Sequence, residues 1–344
     1  MFDDIKIIET GKKEIPRIRA FLEKSGLGYE DDIEYTVALV EGGKMLATGS
    51  FSKDILKCIA VDESVQEGGL TSRVITALLK KEHELGRSHL FLFTKPDNAF
   101  IFSALGFKEI ERAGKAVLME IGTGSIEKYL DTLNIYRKEG ENGAVVVNCN
   151  PFTLGHRYLI KTAAASCAQL YVFVVEEDLS LFPFKERLIL IRKGTADLKN
   201  VTVLNGGKYI ISSSTFPTYF LRNETDDGIV AAQTEMDIRI FARYIAPHLG
   251  IRKRFVGTEP YCGTTSKYND TMKRILPVFG IELVEVARKE TLGTAISASK
   301  VRELLKAGEI SKVKDLVPSS TYEFLDSPEA AGIIEKIKRS RSRH

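Results

Sequence analysis

The residues Asn148-Cys149-Asn150-Pro151-Phe152-Thr153-Leu154-Gly155-His156 follow a buried apolar run, GAVVVN from 143, and open a helical pattern. A helix start directly after a buried strand offers backbone N–H groups and the positive end of a helix dipole, which suits a nucleotide phosphate. Gly155 has no Cβ, so a phosphate can come close to the backbone there. Thr153 and His156, three residues apart, share one side of the first turn and can face a single anion. No Asp or Cys partner is placed to make an acid–base pair with them, Cys149 reading as core, so their natural role is to hold phosphate oxygens as charge builds on a departing pyrophosphate. A second run at a helix start, Ile296-Ser297-Ala298-Ser299-Lys300-Val301-Arg302, adds cap hydroxyls and a fork-shaped guanidinium. Between the two, Gly257-Thr258-Glu259-Pro260-Tyr261 ends a strand, where a base or ribose would lie. Lys185 and Arg187, in Phe184-Lys185-Glu186-Arg187, could also reach a triphosphate. The plainer readings are a surface His156, ordinary helix caps at Ser297 and Ser299, and a solvated helix face for Lys185 and Arg187. Cys149 reads as a small core residue.

The elements that must position these groups fall into two rhythms. The first half predicts strands at 5–9, 35–40, 44–51, 55–61, 89–94, 107–111 and 116–121, with helices at 13–25, 70–86 and 98–105. This is a mixed sheet with few crossovers. After a polar helical connector at 125–141, strands at 143–148, 170–175, 201–205, 253–257 and 281–286 alternate with helices at 155–168, 184–197, 266–279 and 299–307. Repeated βα units imply a parallel sheet that binds ligands at the carboxyl ends of its strands. The expected class is therefore α/β: a mixed-sheet domain over 1–122, a connector over 123–142, a Rossmann-like domain over 143–325 and a basic, solvated tail over 326–344. The small polar residues between Gly206-Gly207-Lys208-Tyr209 and Ser212-Ser213-Ser214-Thr215 could line a site.

Composition narrows the function classes. In 344 residues, 49 Lys and Arg balance 46 Asp and Glu, and five of the positive charges sit in the last nine residues. The remaining body is slightly acidic and lacks the positive field of a nucleic-acid binder. The 44% hydrophobic content excludes disorder and disulfide scaffolds. Cys58, Cys149, Cys167 and Cys262 show no CxxC or metal-ligand spacing. The longest apolar runs, such as Leu170 to Val175, are far shorter than the roughly 20 residues of a membrane helix. A cytoplasmic protein is expected, with neither membrane nor nucleic acid as partner.

Thr153-Leu154-Gly155-His156 and Ile296-Ser297-Ala298-Ser299-Lys300-Val301-Arg302 resemble the two signatures of the (H/T)xGH nucleotidyltransferase superfamily. The first half, with Gln66-Glu67-Gly68-Gly69-Leu70-Thr71 and Asn98 through Leu105-Gly106-Phe107, resembles the Gcn5-related acetyltransferase fold. With Gly206 to Ser213 and Gly257 to Tyr261 added, residues 1–325 resemble the citrate lyase ligase family. The resemblance implies a ligase that uses ATP and acetate to acetylate the thiol of the CoA-like prosthetic group on citrate lyase's acyl carrier subunit, releasing AMP and pyrophosphate and switching the lyase on. It implies His156, Thr153 and Arg302 as catalytic residues. It implies Asn150, Pro151, Phe152, Thr153, Gly155, His156, Gly257, Thr258, Glu259, Ile296, Ser297, Ser299 and Arg302 as the ATP site. Gln66, Gly68, Gly69 and Thr71 would receive the CoA-like arm, although Thr71 stands where the acetyltransferase loop has Gly or Ala. Mg²⁺ is expected on the triphosphate, with most of its ligands from phosphate and water. The competing classes are an adenylyltransferase for a phosphopantetheine-type acceptor, an acetyl-CoA-dependent acetyltransferase and a non-catalytic nucleotide sensor.

Overall fold

The computed structural model describes residues 6–176, 180–210, 216–221, 226–258, 263–291 and 294–340. The chain divides into two compact units, Met1–Tyr129 with Phe216–Met236, and Leu130–Thr215 with Asp237–His344.

The first unit is built on seven strands: β1 (Lys6–Glu9), β2 (Tyr35–Glu41), β3 (Lys44–Ser52), β4 (Ile55–Val61), β5 (His89–Thr94), β6 (Lys108–Ala113) and β7 (Ala116–Gly122). Their order is β1-β2-β3-β4-β5-β7-β6. Only β4 and β5 pair in parallel. Helices α1 (Ile15–Lys24), α2 (Leu70–Glu84) and α3 (Ala99–Ala104) fall where the hydrophobic spacing puts them. Leu70, Val74, Ile75 and Leu78 make one buried stripe of α2, at the spacing of an amphipathic helix. Gly49 lets that stripe lie on β3, because a Cβ there would come within 2.4 Å of the Val74 side chain.

The parallel register of β4 and β5 covers only Ile55 with Phe91 and Leu56 with Leu92, and Cys58 then takes a positive φ of 54°. A distant piece of chain, 216–221, is stitched in beside these strands. The Tyr219 hydroxyl donates to the Phe93 carbonyl at 2.6 Å, and the Phe216 ring meets Phe93 edge-on at 5.2 Å. The Glu30 carboxylate accepts from the Thr218 N–H, the Thr218 hydroxyl and the Tyr219 N–H at 2.6, 2.9 and 3.1 Å. The buried Lys57 ammonium lies 2.9 Å from Glu30 and 2.7 Å from Asp32. Beside Tyr219 is a cavity of about 290 Å³, lined by Arg19, Glu23, Gly28, Tyr29, Glu30 and Thr218 among others. No local pattern in the sequence places residues 216–236 in this unit.

The second unit carries β8 (Asn142–Val147), β9 (Leu170–Val174), β10 (Val201–Asn205), β11 (Ile251–Gly257) and β12 (Glu282–Val286). They are all parallel, in the order β10-β9-β8-β11-β12. Helix α4 (Ile126–Leu133) leads in, and α5 (Leu154–Ala164) and α6 (Phe184–Gly194) follow β8 and β9. The connector is helical only over α4 and the short turn Asn134–Tyr136, and Asn142 already opens β8. The chain between β10 and β11, which shows no helical reading in the sequence, contains α7 (Asp226–Ile240) and α8 (Ala246–Leu249). Helix α9 (Gly263–Ile275) precedes β12, and α10 (Ala298–Lys306), α11 (Ser319–Leu325) and α12 (Ala331–Arg339) end the fold.

The expected solvated tail is corrected by α12. Ile333 and Ile337, four apart, belong to the same core as Val145, Val172 and Phe255, while Lys336, Lys338 and Arg339 occupy the other side. The charges are those of an amphipathic helix, not of a disordered end. Gly143 has a packing reason as well: a Cβ there would meet the Phe255 ring at 2.7 Å. Among the described residues, no helix is long and apolar enough to cross a membrane.

Candidate active site

Both motifs stand where the expectation put them, at the carboxyl rim of the parallel sheet. The chain leaves β8 through Cys149, which takes a positive φ of 56° and is buried. Burial pushes its thiol well above the ordinary range, as a core reading requires. Thr153 caps α5: its hydroxyl accepts from the His156 N–H at 3.3 Å, and the His156 ring answers by accepting from the Thr153 N–H at Nδ1, at 3.1 Å. The Thr153 hydroxyl also lies 2.9 Å from Nδ1. Because a main-chain N–H donates to Nδ1, the ring proton must sit on Nε2. Burial, with the nearby positive charge of Arg288, pushes the His156 pKa down to about 4. At neutral pH His156 is therefore an uncharged, fixed-tautomer donor.

Several expectations change at atomic detail. Of the four N–H groups that open α5, those of Thr153, Leu154 and His156 are already bonded, Leu154 to the Leu316 carbonyl at 2.9 Å. Among the described residues, that leaves the Gly155 N–H as the first-turn backbone donor for an anion. Gly155 also has a packing reason that the sequence did not show. A Cβ on it would lie 2.8 Å from the Ile296 carbonyl, so the close approach there is that of the second motif. Phe152 is wholly buried and stacks under the His156 ring at 6.1 Å and 14°, so it supports the motif from the core. Pro151 and Ile296 are buried too.

Arg302 differs most from a free phosphate fork. It is buried, one Nη donates to the Asn150 carbonyl, and the other donates to the Ser299 hydroxyl at 3.2 Å. Burial lowers its pKa from the ordinary value. Asn150 in turn accepts the Phe182 N–H at 3.0 Å. Ser297 is the α10 cap, its hydroxyl accepting from the Lys300 N–H at 3.1 Å, whereas Ser299 is exposed at the same helix start. The cap reading therefore holds for Ser297.

The end of β11 joins the same rim. The Gly257 carbonyl accepts from the buried Asn269 amide at 3.2 Å, and the Thr258 carbonyl accepts from Arg288 Nε at 2.7 Å. Glu259, Pro260, Tyr261 and residues 211–215 lie outside the described residues. In the first unit, Gln66 and Gly68 fall in a short 3₁₀ turn, Glu63–Gly68, in place of an open loop. Gly69, at φ 65°, caps α2, and Thr71 sits in its first turn.

Two arginines take places that the sequence reading did not give them. Arg187 is fully buried, correcting the solvated face: Nε donates to the Phe182 carbonyl at 3.0 Å, and Nη1 to Asn148 and the Val175 carbonyl at 2.7–2.9 Å. It ties the ends of β8 and β9 together beneath the first motif. Its spacing with Leu190, Ile191 and Gly194 marks the inward stripe of α6, so periodicity contained the signal. Arg288 stands two residues beyond β12, on the rim where parallel sheets carry ligand-binding groups.

A five-stranded parallel sheet with two capped helix starts meeting at its carboxyl rim defines the second unit as a nucleotidyltransferase-like domain. A model of the citrate lyase ligase C-terminal domain matches residues 142–325. The chain is 43% identical to the citrate (pro-3S)-lyase ligase of Klebsiella pneumoniae, over 91% of this chain and 94% of that one. It belongs to the citrate lyase ligase family and is an enzyme of the ligase class. A phosphopantetheine adenylyltransferase of Corynebacterium efficiens is 25% identical, over 40% of this chain and 91% of its own length. Among solved structures, the ribosomal-protein-S18-alanine N-acetyltransferase of Escherichia coli is similar over 35% of this chain and 96% of its own, at 21% identity and a TM-score of 0.31.

Proposed function

We propose that the second unit adenylates acetate with ATP and that the acetyl group then passes to the thiol of the CoA-like prosthetic group on the acyl carrier subunit of citrate lyase, which activates the lyase. The observation that carries this reading is the locking of two motifs about 140 residues apart into one rim, through Gly155 against Ile296 and Arg302 on Asn150. Acetate is a poor acyl donor because its leaving group would be oxide. In the first step an acetate oxygen attacks the α-phosphorus of ATP, the bond to the β-phosphate oxygen breaks, and pyrophosphate leaves. In the second, the prosthetic-group sulfur attacks the acetyl carbon, the thiol gives up its proton, and AMP departs with the acyl oxygen.

The donors left at the rim suit the first step. In this reading the Gly155 N–H, the Nε2–H of His156 and the exposed start of α10 at Ser299 would meet the charge that grows on the leaving pyrophosphate. One such donor is typically worth about 10²–10³ in rate. Because His156 is neutral, it donates a hydrogen bond without giving up its proton. Among the described residues, no three His, Cys, Asp or Glu side chains gather to hold a metal. Mg²⁺ would be carried by the triphosphate and water, supplying charge neutralisation. The start of α2 at Gly69 and Thr71 is the candidate seat for the CoA-like arm.

The test is ATP–pyrophosphate exchange on the purified protein with and without acetate, with hydroxylamine present in a parallel reaction. Acetate-dependent exchange and acetohydroxamate formation are expected. Exchange indifferent to acetate would shift the reading to another adenylyl acceptor.

A further inference from the structure

We propose that Arg187 is a positioning residue for the reaction at the rim: buried beneath the first motif, it holds the strained turn 148–150 and through that turn sets where Thr153 and His156 stand. The proposal rests on the adenylating reading of this site and adds to it the device that fixes the geometry of its donors.

Between β8 and the α5 cap the chain passes through Cys149, whose φ of 56° is a left-handed conformation. A residue with a Cβ keeps that conformation only where its surroundings hold it. Both neighbours of Cys149 are held. Arg187 Nη1 donates to the Asn148 carbonyl at 2.9 Å and to the Asn148 side-chain oxygen at 2.7 Å. The Asn150 side-chain oxygen accepts the Phe182 N–H at 3.0 Å, and the Phe182 carbonyl accepts from Arg187 Nε at 3.0 Å. The same guanidinium reaches the Val175 carbonyl, just past β9, at 2.9 Å. One buried fork therefore ties the exits of two neighbouring strands to the turn that leads into Thr153.

Helix α6 supports the motif at two further points. Gly194, on the same buried stripe as Arg187, lies against Phe152: a Cβ there would come within 2.5 Å of that ring, which stacks under His156. Asp197, just beyond α6, takes both ends of the Arg157 guanidinium at 2.8 and 2.9 Å. The start of α5, with the donors it carries, is thus referenced to α6, and Arg187 stands in the first turn of α6, at the end that follows β9. Because Arg187 is fully buried, it acts through the turn and not on the nucleotide.

The experiment compares full-length variants at a temperature where each is folded by circular dichroism. Arg187→Lys keeps the charge but not the fork that meets three carbonyls at once. It is expected to lower kcat in acetate-dependent exchange about 10²-fold with a much smaller change in KM for ATP, because the misplaced donors meet charge that develops only as pyrophosphate leaves. Asn148→Ala leaves Arg187 in place and removes one exposed acceptor, so it should fold, and its kcat should fall about 10-fold. In both variants imidazole ¹⁵N NMR should show His156, on the neighbouring helix, losing the single Nε2–H form that the wild type holds at neutral pH. If Arg187→Lys does not fold, Asn148→Ala decides by the same readouts. Folded variants with wild-type kcat, or a loss of rate with the His156 signals unchanged, would overturn this proposal alone. Absence of exchange in the wild type would remove the adenylating reading and this proposal with it.

Discussion

A Cβ placed on Gly155 would lie 2.8 Å from the Ile296 carbonyl oxygen, so the first turn of α5 and the residue before the α10 cap touch backbone to backbone. Neither partner is a flexible side-chain tip, and nothing can swing aside. Gly155→Ala should push the two motifs apart, costing about 1–3 kcal/mol of stability. Acetate-dependent exchange should fall by more than 10-fold, since an ångström of misplacement at such a site is expensive. Thermal unfolding and exchange measured on the same preparation check both numbers.

His156 should titrate near pH 4 by imidazole NMR, not near its ordinary 6.5. The folded value lies below the unfolded one, so between these two pH values the unfolded state holds more protons. The stability His156 contributes is then fully present above about 6.5 and is lost as pH falls toward 4, by about 2 kcal/mol for a half-buried ring. The kcat profile should show no break near 6.5 from this residue. His156→Ala should lower kcat about 10²-fold or more.

Thr153→Ala removes a helix cap and the group that orients His156. A loss of about 1 kcal/mol is expected, with exchange reduced beyond what unfolding explains. Thr153→Ser keeps the hydroxyl and should restore both.

Tyr219→Phe leaves the Phe93 carbonyl without its donor and should cost about 1–3 kcal/mol. Glu30→Gln weakens three bonds to Thr218 and Tyr219 and removes a countercharge from buried Lys57. Hydrogen exchange should show the 216–221 backbone opening more readily in both variants. Because residues 1–129 cover the aromatic rings of 216–221, these point changes test the first unit more cleanly than its deletion, which would strip that cover. Protection equal to wild type in both would mean that these bonds do not hold the segment.

Ile337→Ala at the end of α12 should lower the midpoint of thermal unfolding, by a cost of about 2 kcal/mol, because the helix belongs to the core of the second unit. A solvated tail would show no change.

Local order in the sequence was sufficient for much of this protein. Strands such as 89–94 and 201–205 were legible because apolar runs bounded by turn residues declare themselves over a few positions. The two motifs were legible because a strand, a cap residue and a helix start are neighbours along the chain. The alternating βα rhythm then determined that both motifs stand at one rim of a parallel sheet. Tertiary structure alone decided what each motif residue faces. Arg302 could have pointed to solvent, but desolvated carbonyls at Asn150 drew its guanidinium inward. Gly155 met another backbone, and Phe152 sank into the core. The joining of 216–236 to the first unit depends on Glu30, Lys57 and Phe93, more than a hundred residues away, a distance over which periodicity carries no information. Local spacing determines which face of an element is apolar; only the assembled chain determines what that face is buried against.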